Sequence, residues 1–345
     1  CFVPPSPDYL DYIDFRVLTL LFCLMAVVAG LQDCGVFAVL AQKLLAGKRS
    51  LRFLALVLVL LPFFTSMLIT NDVSLITFVP FTLLVLGLVG RLERALYLVV
   101  LQTLAANLGS MATPVGNPQN LYLYSAFGIP AGEFFAVMVP LTLVSLVGLS
   151  VAALCVKPES IEVRFPEKQT IRRPRQLWLM AVLFLLCLLS VFHVLHYAVL
   201  LAIVAVCLLL FARHLFRRVD YGLLFTFVCF FIFAGNIGNI PAVKDFLSAV
   251  MAENTFLTSL CASQIISNVP AALLLSGFTQ DWKGLLLGTD VGGLGTLIAS
   301  LASLISFRLY LKSPGARPLR YLGVFTLANL AGLAILIAVS LVFLL

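Results

Sequence analysis

Long apolar runs extend along the whole chain, and four polar segments interrupt them. The runs are long enough for helices that cross a hydrocarbon core of about 30 Å. Backbone polar groups within a bilayer must find partners inside the protein, so such an interruption is tolerated only where it is buried or lines a cavity. Two interruptions are short, at 70–72 (Thr-Asn-Asp) and 267–270 (Ser-Asn-Val-Pro). Two are longer and contain several glycines, at 106–121 and 289–304.

The two longer interruptions are copies of one pattern. Aligned without a gap, they place Gly109, Thr113 and Leu121 opposite identical residues at 292, 296 and 304. They also place Asn107, Asn117 and Asn120 opposite Asp290, Ser300 and Ser303, so that polar residues match polar residues. The short interruptions match as well, with Thr70 and Asn71 opposite Ser267 and Asn268. Paired interrupted helices in the two halves of a membrane protein indicate the substrate site of a secondary transporter.

The same order of elements is predicted in the two halves. The first half, 1–156, contains a helix from about residue 15 to the loop at 43–52, a hairpin at 53–89, a broken helix at 95–127 and a helix at 130–156. A basic linker at 157–176 follows. The second half, 177–345, contains helices at 177–193, at 196–212 and from residue 220, an amphipathic surface stretch at 244–253, a hairpin at 254–278, a broken helix at 285–307 and a last helix.

The basic residues set the orientation of these elements. They concentrate in five connections, at 43–52, 91–94, 157–175, 213–218 and 308–320, and only Arg16, Lys244 and Lys283 lie elsewhere. The positive-inside rule places such loops in the cytoplasm. The two halves then cross the membrane in opposite directions. The predicted fold is therefore an all-α polytopic membrane protein with two inverted-topology repeats, each with a re-entrant helical hairpin and a broken transmembrane helix.

Composition agrees with this class, because 62% of the residues are hydrophobic and only 11% are charged. The formal net charge of +7 comes from loops that set the topology, so we expect a lipid bilayer and no nucleic acid as partner. The eight cysteines are scattered without the spacing of a metal site, and no resident cofactor is predicted. The chain starts at Cys1 without a methionine or a signal-peptide pattern, and we expect that it is truncated at the N-terminus.

The four interruptions supply the polar groups of the predicted site. An unwound backbone exposes carbonyl groups, which suit Na⁺, and half-helix N-termini, which suit an anion. Amide and hydroxyl side chains at the same places can donate and accept hydrogen bonds. The predicted substrate-binding residues are Asn71, Thr113, Gly116, Asn117, Asn120, Ser267, Asn268, Thr296, Ser300 and Ser303. The predicted coupling-ion residues are Thr70, Asp72 and Asp290, and Asn71, Asp72 and Asn268 can hold Na⁺.

Asp72 and Asp290 are carboxyl groups at membrane depth. A charged carboxylate there costs at least about 2.5–3.5 kcal/mol, so it has to be paired, protonated or bound to a cation. Asp72 can carry the coupling proton or bind Na⁺, or it can cap the second half-helix by accepting its N–H groups. The same alternatives apply to Asp290. No Lys or Arg is predicted near the midplane, so a substrate anion would depend on N–H groups, hydroxyls, amides and a bound cation.

The segments at 70–72, 109–120, 267–270 and 292–303 resemble the ion transporter superfamily, and the run Gly-Asn-Pro-Gln-Asn at 116–120 is the most specific part. The chain is most similar to the branch of arsenite/antimonite permeases and NhaD-type Na⁺/H⁺ antiporters, and to its anion-permease-like bacterial inner-membrane proteins. The resemblance implies two inverted repeats, a central site near the four interruptions and a homodimer. The hairpin tips read Thr-Asn-Asp and Ser-Asn-Val, whereas Na⁺-coupled dicarboxylate relatives have Ser-Asn-Thr, which argues against a carboxylate substrate and two-site Na⁺ coupling.

These observations favour a secondary active transporter of a small ion, an anion or oxyanion, coupled to Na⁺ or H⁺ by alternating access in the inner membrane. Alternatives within transport are a channel-like permease, a Na⁺/H⁺ antiporter and an arsenite/antimonite efflux permease. An alternative of another class is an intramembrane aspartyl protease, in which Asp72 and Asp290 would share a proton. Such a protease should carry Gly-x-Gly-Asp, but the chain has Leu-Gly-Thr-Asp at 287–290, and no enzymatic activity is predicted.

Overall fold

The computed structural model describes residues 7–171 and 173–344, so the prediction about what precedes Cys1 lies outside the described residues. The first half contains α1 (Phe15–Asp33), α2 (Val36–Leu45), β1 (Gly47–Ser50), α3 (Leu51–Ile69), α4 (Asn71–Leu88), α5 (Ala95–Ser110), α6 (Pro118–Ala126) and α7 (Ala131–Leu154). Then come β2 (Ser160–Val163), α8 (Pro174–Val191), α9 (Tyr197–Phe211), α10 (Tyr221–Gly238), α11 (Pro241–Glu253), α12 (Thr255–Ile266), α13 (Asn268–Leu275), α14 (Trp282–Val291), α15 (Leu301–Leu311) and α16 (Pro318–Phe343).

Seven of these helices are long and apolar enough to cross a membrane: α1, α3, α4, α7, α8, α10 and α16. Three of them, α1, α3 and α10, begin at a side chain that accepts a hydrogen bond from the first turn, as Asp14 does for α1 and Ser50 for α3. Two others, α8 and α16, begin with proline at their first position, where no N–H group is needed. The prediction of an all-α polytopic membrane protein is confirmed.

Each predicted hairpin is present, and the positions of its turns match the sequence. The side chain of Gln102 donates to Leu58 O and to Thr82 Oγ1, which lie at equal distances along the chain on either side of Thr70. Helices α3 and α4 are therefore antiparallel partners. In the second hairpin the hydroxyls of Thr255 and Thr279 lie 3.4 Å apart, again symmetrically about the break, which is at Ser267.

Three details differ from the prediction. The first helix does not continue to residue 43, because Gly35 takes a left-handed conformation (φ 79°) and divides it into α1 and α2. The break of the first hairpin is confined to Thr70, and Asn71 and Asp72 belong to the first turn of α4. The basic linker 157–176 contains a strand that the sequence analysis did not predict, because Ser160–Val163 form β2, which pairs antiparallel with β1.

The basic connections gather at one face of the molecule. β1 in the connection 43–52 pairs with β2 in 157–175, and Arg91 of the connection 91–94 forms a salt bridge of 2.8 Å with Glu159. Arg218 of the connection 213–218 binds Asp33 at the end of α1, beside a pocket that Gln169 and Arg173 also line. We call this surface the basic face. Along α15, Ser300 contacts Asn107 and Ser306 contacts Thr103, so this helix runs towards the start of α5 and the connection 91–94. The connection 308–320, which follows α15, therefore lies on the side of the basic face.

Candidate functional site

The two hairpin tips have the same backbone conformation. Thr70 has φ 65° and ψ 152°, and Ser267 has φ 73° and ψ 153°, a region that non-glycine residues seldom adopt. The residue that follows each break folds its side chain onto the first turn of its own helix: Asn71 Oδ1 accepts from Asp72 N at 3.0 Å, and Asn268 Oδ1 accepts from Val269 N at 2.9 Å. Strained residues of this kind cost about 1–3 kcal/mol each and cluster at functional sites.

Each broken helix contacts its hairpin in the same way in both halves. Thr113 Oγ1 donates to Met67 O, and Thr296 Oγ1 donates to Gln264 O at 3.0 Å. Met67 and Gln264 each lie three residues before the break of their hairpin. The matched glycines, Gly109 and Gly292, lie against Ser66 and Ser263, which also occupy equivalent positions. The hydroxyls of Thr113 and Thr296, predicted to bind substrate, thus hold the breaks to the hairpins.

A first junction, formed by Asn71, Asn107, Ser300 and Ser303, connects the two halves. Asn107 Oδ1 accepts from Asn71 Nδ2 at 3.0 Å and from Ser300 Oγ at 3.1 Å, and Asn107 Nδ2 donates to Ser303 Oγ at 3.3 Å. The tip of the first hairpin, the first broken helix and the start of α15 therefore share one buried amide.

A second junction, formed by Asn117, Gln119, Asn120 and Asp290, is the counterpart of the first. Gln119 Nε2 donates to Asp290 Oδ1 at 3.1 Å, and the side chains of Asn117 and Asn120 lie beside the same carboxyl group. The residues at 117 and 120 are those that match Ser300 and Ser303 in the sequence alignment. The second hairpin joins the assembly through Ala299 O, which accepts from Asn268 N at 3.0 Å and from Ser267 Oγ at 3.3 Å.

Some predicted residues do other work than binding. Gly116 allows a close approach of the backbone, because a Cβ atom there would lie 2.1 Å from Ser110 O. Thr296 is exposed beside the second break. Asn71 and Asn268, proposed to hold Na⁺ together with Asp72, form no hydrogen bond with each other in the described part of the chain.

Three residues of the assembly were missed. The sequence pointed to two of them, because Asn107 matches Asp290 in the repeat and Gln119 lies inside the Gly-Asn-Pro-Gln-Asn run. Nothing in the sequence pointed to Gln264, because its counterpart in the repeat, Met67, is apolar. It donates to Gly292 O at 2.7 Å and to Leu294 O at 3.0 Å, and it accepts from Thr296 N at 3.0 Å, so one side chain satisfies the unwound backbone of the second break.

A cavity of about 390 Å³ connects the basic face with the first two breaks. Its walls are mostly apolar side chains of α1, α4, α6 and α15. The polar groups of its lining are Thr70, Asp72 and Asn117 from the breaks, and Gln32, Arg218 and Asp220 from the region of the basic face. A mostly apolar cavity with a few converging polar groups is the usual form of a small-ligand site.

The carboxyl group of Asp72 is not a helix cap. Asn71 Oδ1 takes the N–H group of Asp72, and among the described residues no backbone N–H donates to the Asp72 carboxyl, whose Oδ1 is buried without a partner. Another acid, Asp220, lines the same cavity. Asp72 is therefore an unpaired carboxyl on a substrate-sized cavity, and the capping alternative is wrong.

Comparison with known proteins identifies the family. The family model described as citrate transporter, CitMHS, matches residues 2–281. The chain belongs to the CitMHS family. It is 31% identical to an uncharacterized transporter of Methanocaldococcus jannaschii over 338 residues, which cover 96% of this chain and 90% of the relative. It is 32% identical to the inner membrane protein YbiR of Escherichia coli over 318 residues, 89% and 83% of the two chains.

A third relative matches over a shorter range. A silicon efflux transporter of Oryza sativa is 35% identical over 118 residues, which cover 34% of this chain and 24% of the relative. These matches show a multi-pass membrane transporter rather than an enzyme, and they confirm the resemblance to the ion transporters. The protease alternative is set aside with them. Asp72 and Asp290 form no hydrogen bond with each other in the described residues, and Asp290 is bound to Gln119 instead.

Proposed function

We propose that this CitMHS family member is a secondary active transporter that moves a small anion or oxyanion by alternating access, coupled to H⁺ or Na⁺. The observation that carries the proposal is the cavity that runs from the basic face to Thr70, Asp72 and Asn117. Its lining includes residues of the basic face and residues of the polar breaks of the first half, as expected of a transporter that is open to one side.

The depth of the breaks supports a central site. The tip of the first hairpin contacts the first broken helix through Asn71–Asn107 and Thr113–Met67. Beyond this break, α6 continues for nine residues, which is about 13 Å of helix. The tip therefore ends well short of the surface opposite the basic face, as expected for a re-entrant hairpin.

The orientation in the membrane follows from the distribution of the basic residues. We place the basic face in the cytoplasm and the protein in the inner membrane, because all five basic connections would then obey the positive-inside rule. A relative is named an inner membrane protein, which agrees with this placement. The inverted topology of the repeats, their boundaries at 156 and 177, and the homodimer that the resemblance implies remain predictions.

Asp72 is the residue best placed to couple transport to an ion. It lines the cavity, and its carboxyl has no hydrogen-bond or salt-bridge partner among the described residues. A carboxylate at membrane depth requires a proton or a cation. Access from the basic face allows that ion to reach it, whereas a purely structural acid would be paired with a donor.

The charges of the cavity restrict the substrate. Its lining contains two carboxyl groups, Asp72 and Asp220, and one guanidinium, Arg218, which is bound to Asp33. A free polycarboxylate would meet more negative than positive charge there, so a singly charged or hydroxylated oxyanion fits better than citrate alone. A neutral hydroxylated acid, such as the arsenite triol, would be bound by hydrogen bonds from Thr70 and Asn117, which keeps efflux of arsenite, antimonite or silicon as a substrate option.

The acidic lining also supports a second candidate, a Na⁺/H⁺ antiporter. In that case Asp72 would bind Na⁺ and H⁺ alternately and no oxyanion would be required. The two candidates predict different dependence on anions at a constant Na⁺ gradient.

Counterflow in proteoliposomes tests the proposal. Vesicles loaded with citrate, sulfate, arsenite or silicate would be diluted into the corresponding labelled solute at trace concentration. A transporter gives transient, saturable accumulation of one labelled solute, because the efflux of unlabelled solute returns its site to the outside, where it binds label. A channel-like permease gives no such accumulation, because labelled and unlabelled solute pass through it independently. Sodium-22 exchange without dependence on any of these solutes would favour the antiporter.

A further inference from the structure

Equivalent positions on the two hairpins differ sharply in exposure. When Asn71 is aligned with Asn268, Ile76 on α4 matches Leu273 on α13. Ile76 lines the cavity and is 52% exposed, whereas Leu273 is buried, with an exposure of 1%. The two hairpin tips have the same backbone conformation, so the difference comes from what lies against each hairpin.

The helices that face the hairpins explain this difference. α1 and α10 are equivalent, because each begins after an aspartate, Asp14 or Asp220, whose side chain accepts from the N–H group of the third helical residue. In the first half the cavity lies between α1 and α4, and residues of both helices line it. In the second half α10 packs directly against α13. The first half is therefore open where the second half is closed.

Tyr122 of α6 completes the closed side. Its hydroxyl oxygen lies 2.6 Å from Ser276 Oγ at the end of α13, and the centre of its ring lies 5.7 Å from that of Phe231 on α10. These three side chains join the first broken helix, the second hairpin and α10. The alignment of the broken helices, extended by one residue, matches Tyr122 with Ile305, which lines the cavity. The cluster therefore fills the place that the cavity occupies in the first half.

This cluster lies beyond the breaks, on the side away from the basic face. Tyr122 belongs to α6, which continues from the first break in that direction. Phe231 lies about 16 Å along α10 from Asp220, which lines the cavity near the basic face. The cluster and the cavity thus belong to opposite sides of the central site.

We propose that Tyr122, Ser276 and Phe231 form an outer gate, which is closed in this structure and opens when the cavity closes. The gate rests on the proposed function, because it supplies the closed side that alternating access requires. Transporters with repeats of this kind alternate by moving one repeat or bundle against the other around a fixed site. Separation of α10 from α13 would expose Leu273 as Ile76 is exposed now, and the approach of α1 to α4 would close the cavity.

The contacts of the gate suit repeated opening. One hydrogen bond between neutral hydroxyls and one aromatic contact hold Tyr122 in place. The salt bridges between described residues all lie elsewhere, at the basic face and in the connections that form it. Opening of the gate would therefore separate no pair of charges within the membrane, where unpaired charges are costly.

Thiol labelling of membrane vesicles tests the gate. In a cysteine-free background, Leu273→Cys monitors the gate, Ile76→Cys monitors the cavity, and Lys48→Cys identifies the side of the basic face. An impermeant maleimide should label Ile76→Cys rapidly from that side, and Leu273→Cys slowly and only from the opposite side. Tyr122→Phe, which keeps the ring, and Ser276→Ala each remove the same hydrogen bond. Each should accelerate labelling of Leu273→Cys by about 2- to 12-fold, the equivalent of the net contribution of about 0.5–1.5 kcal/mol of one hydrogen bond.

Tyr124→Phe is the matched control. Tyr124 lies on the same helix and is also buried, but its ring packs against Phe134 and Phe192. The loss of its hydroxyl should leave the labelling of Leu273→Cys unchanged. Acceleration in Tyr122→Phe and Ser276→Ala but not in this control would support the gate.

Four results would overturn the gate. They are rapid labelling of Leu273→Cys with the native gate, unchanged labelling in both gate variants, equal acceleration in Tyr124→Phe, and a parallel rise in the labelling of Ile76→Cys. The last result would show a general loosening of the fold, because the cavity should close as the gate opens. Failure of the proposed function would appear differently, as absence of counterflow although the gate variants accelerate the labelling of Leu273→Cys.

Discussion

At the scale of single residues, the matched glycines mark contacts that leave no room for a side chain. A Cβ atom on Gly109 would lie 2.1 Å from the carbonyl oxygen of Phe63. Gly109→Ala should therefore destabilise the fold by about 1–3 kcal/mol, because the first broken helix must move away from α3. Gly148→Ala on α7 is the control, since nothing lies within 4 Å of its Cβ position. Thermal unfolding in detergent compares the two, and equal stabilities would contradict the packing described here.

Two asparagines predicted to bind substrate should separate into a binding and a structural residue. Asn117 lines the cavity, whereas the oxygen of Asn268 accepts from Val269 N within the first turn of α13. Asn117→Ala should weaken substrate binding by about 5- to 150-fold, the equivalent of about 1–3 kcal/mol for a lost buried partner. Asn268→Ala should lower stability and leave affinity near native. Calorimetry on monodisperse protein, with the solute found by counterflow, distinguishes these outcomes, and native affinity in both variants would remove Asn117 from the site.

The residues that carry the site could be found in the sequence, but their individual partners could not. Asp72 stood out as a charge at membrane depth, and Asn117 belonged to a motif. Which of them faces the cavity depends on where α1, α6 and α15 meet, and this is set by packing between distant segments. Asn107 and Gln119 were overlooked for the same reason, since their importance comes from partners on the other half of the chain.

At the scale of elements, the first junction should stabilise the contact between the halves. Asn107→Leu removes hydrogen bonds to the first hairpin and to α15, and it leaves Asn71 and Ser300 without this partner. We expect a loss of about 1–3 kcal/mol, which is the range for a buried polar partner left unpaired.

Asn329→Leu on α16 is the matched control for that prediction. Asn329 is also buried, but among the described residues its amide nitrogen donates only to Phe325 O within the same helix. Its removal leaves no side chain of another helix unpaired, so the melting temperature should change little. A larger loss in Asn329→Leu than in Asn107→Leu would show that the junction contributes no specific stability.

The hairpins and broken helices were predictable because proline, glycine and amide residues interrupt otherwise continuous apolar runs. The division of the first helix was missed because a single glycine, Gly35, is tolerated in many membrane helices and gives little warning. The pairing of β1 with β2 was missed because the strands are short, exposed in large part and far apart in sequence. They pair only because the first hairpin, which begins directly after β1, packs beside the linker that contains β2.

At the scale of the whole molecule, the basic face predicts which loops react with the same reagent. Two single-cysteine variants in a cysteine-free background test this, Lys48→Cys and Gln280→Cys. Lys48 lies in β1 on the basic face, and Gln280 lies just before α14. Gln280 is preferable to Asp281, whose carboxyl caps α14. An impermeant thiol reagent should label the first only from the cytoplasmic side and the second only from outside. Labelling of both positions from one side would rule out the proposed topology.

Ion-driven accumulation tests the central claim most directly. Proteoliposomes with an imposed pH or Na⁺ gradient are supplied with the labelled solute identified by counterflow, and its internal concentration is followed over time. The account predicts accumulation above equilibrium by the native protein and by Asp245→Asn, an exposed control on α11. Asp72→Asn should fold and bind the solute but only equilibrate it, because the cavity would lack its ionisable group. Unchanged accumulation by Asp72→Asn, with the same dependence on pH and Na⁺, would contradict the account.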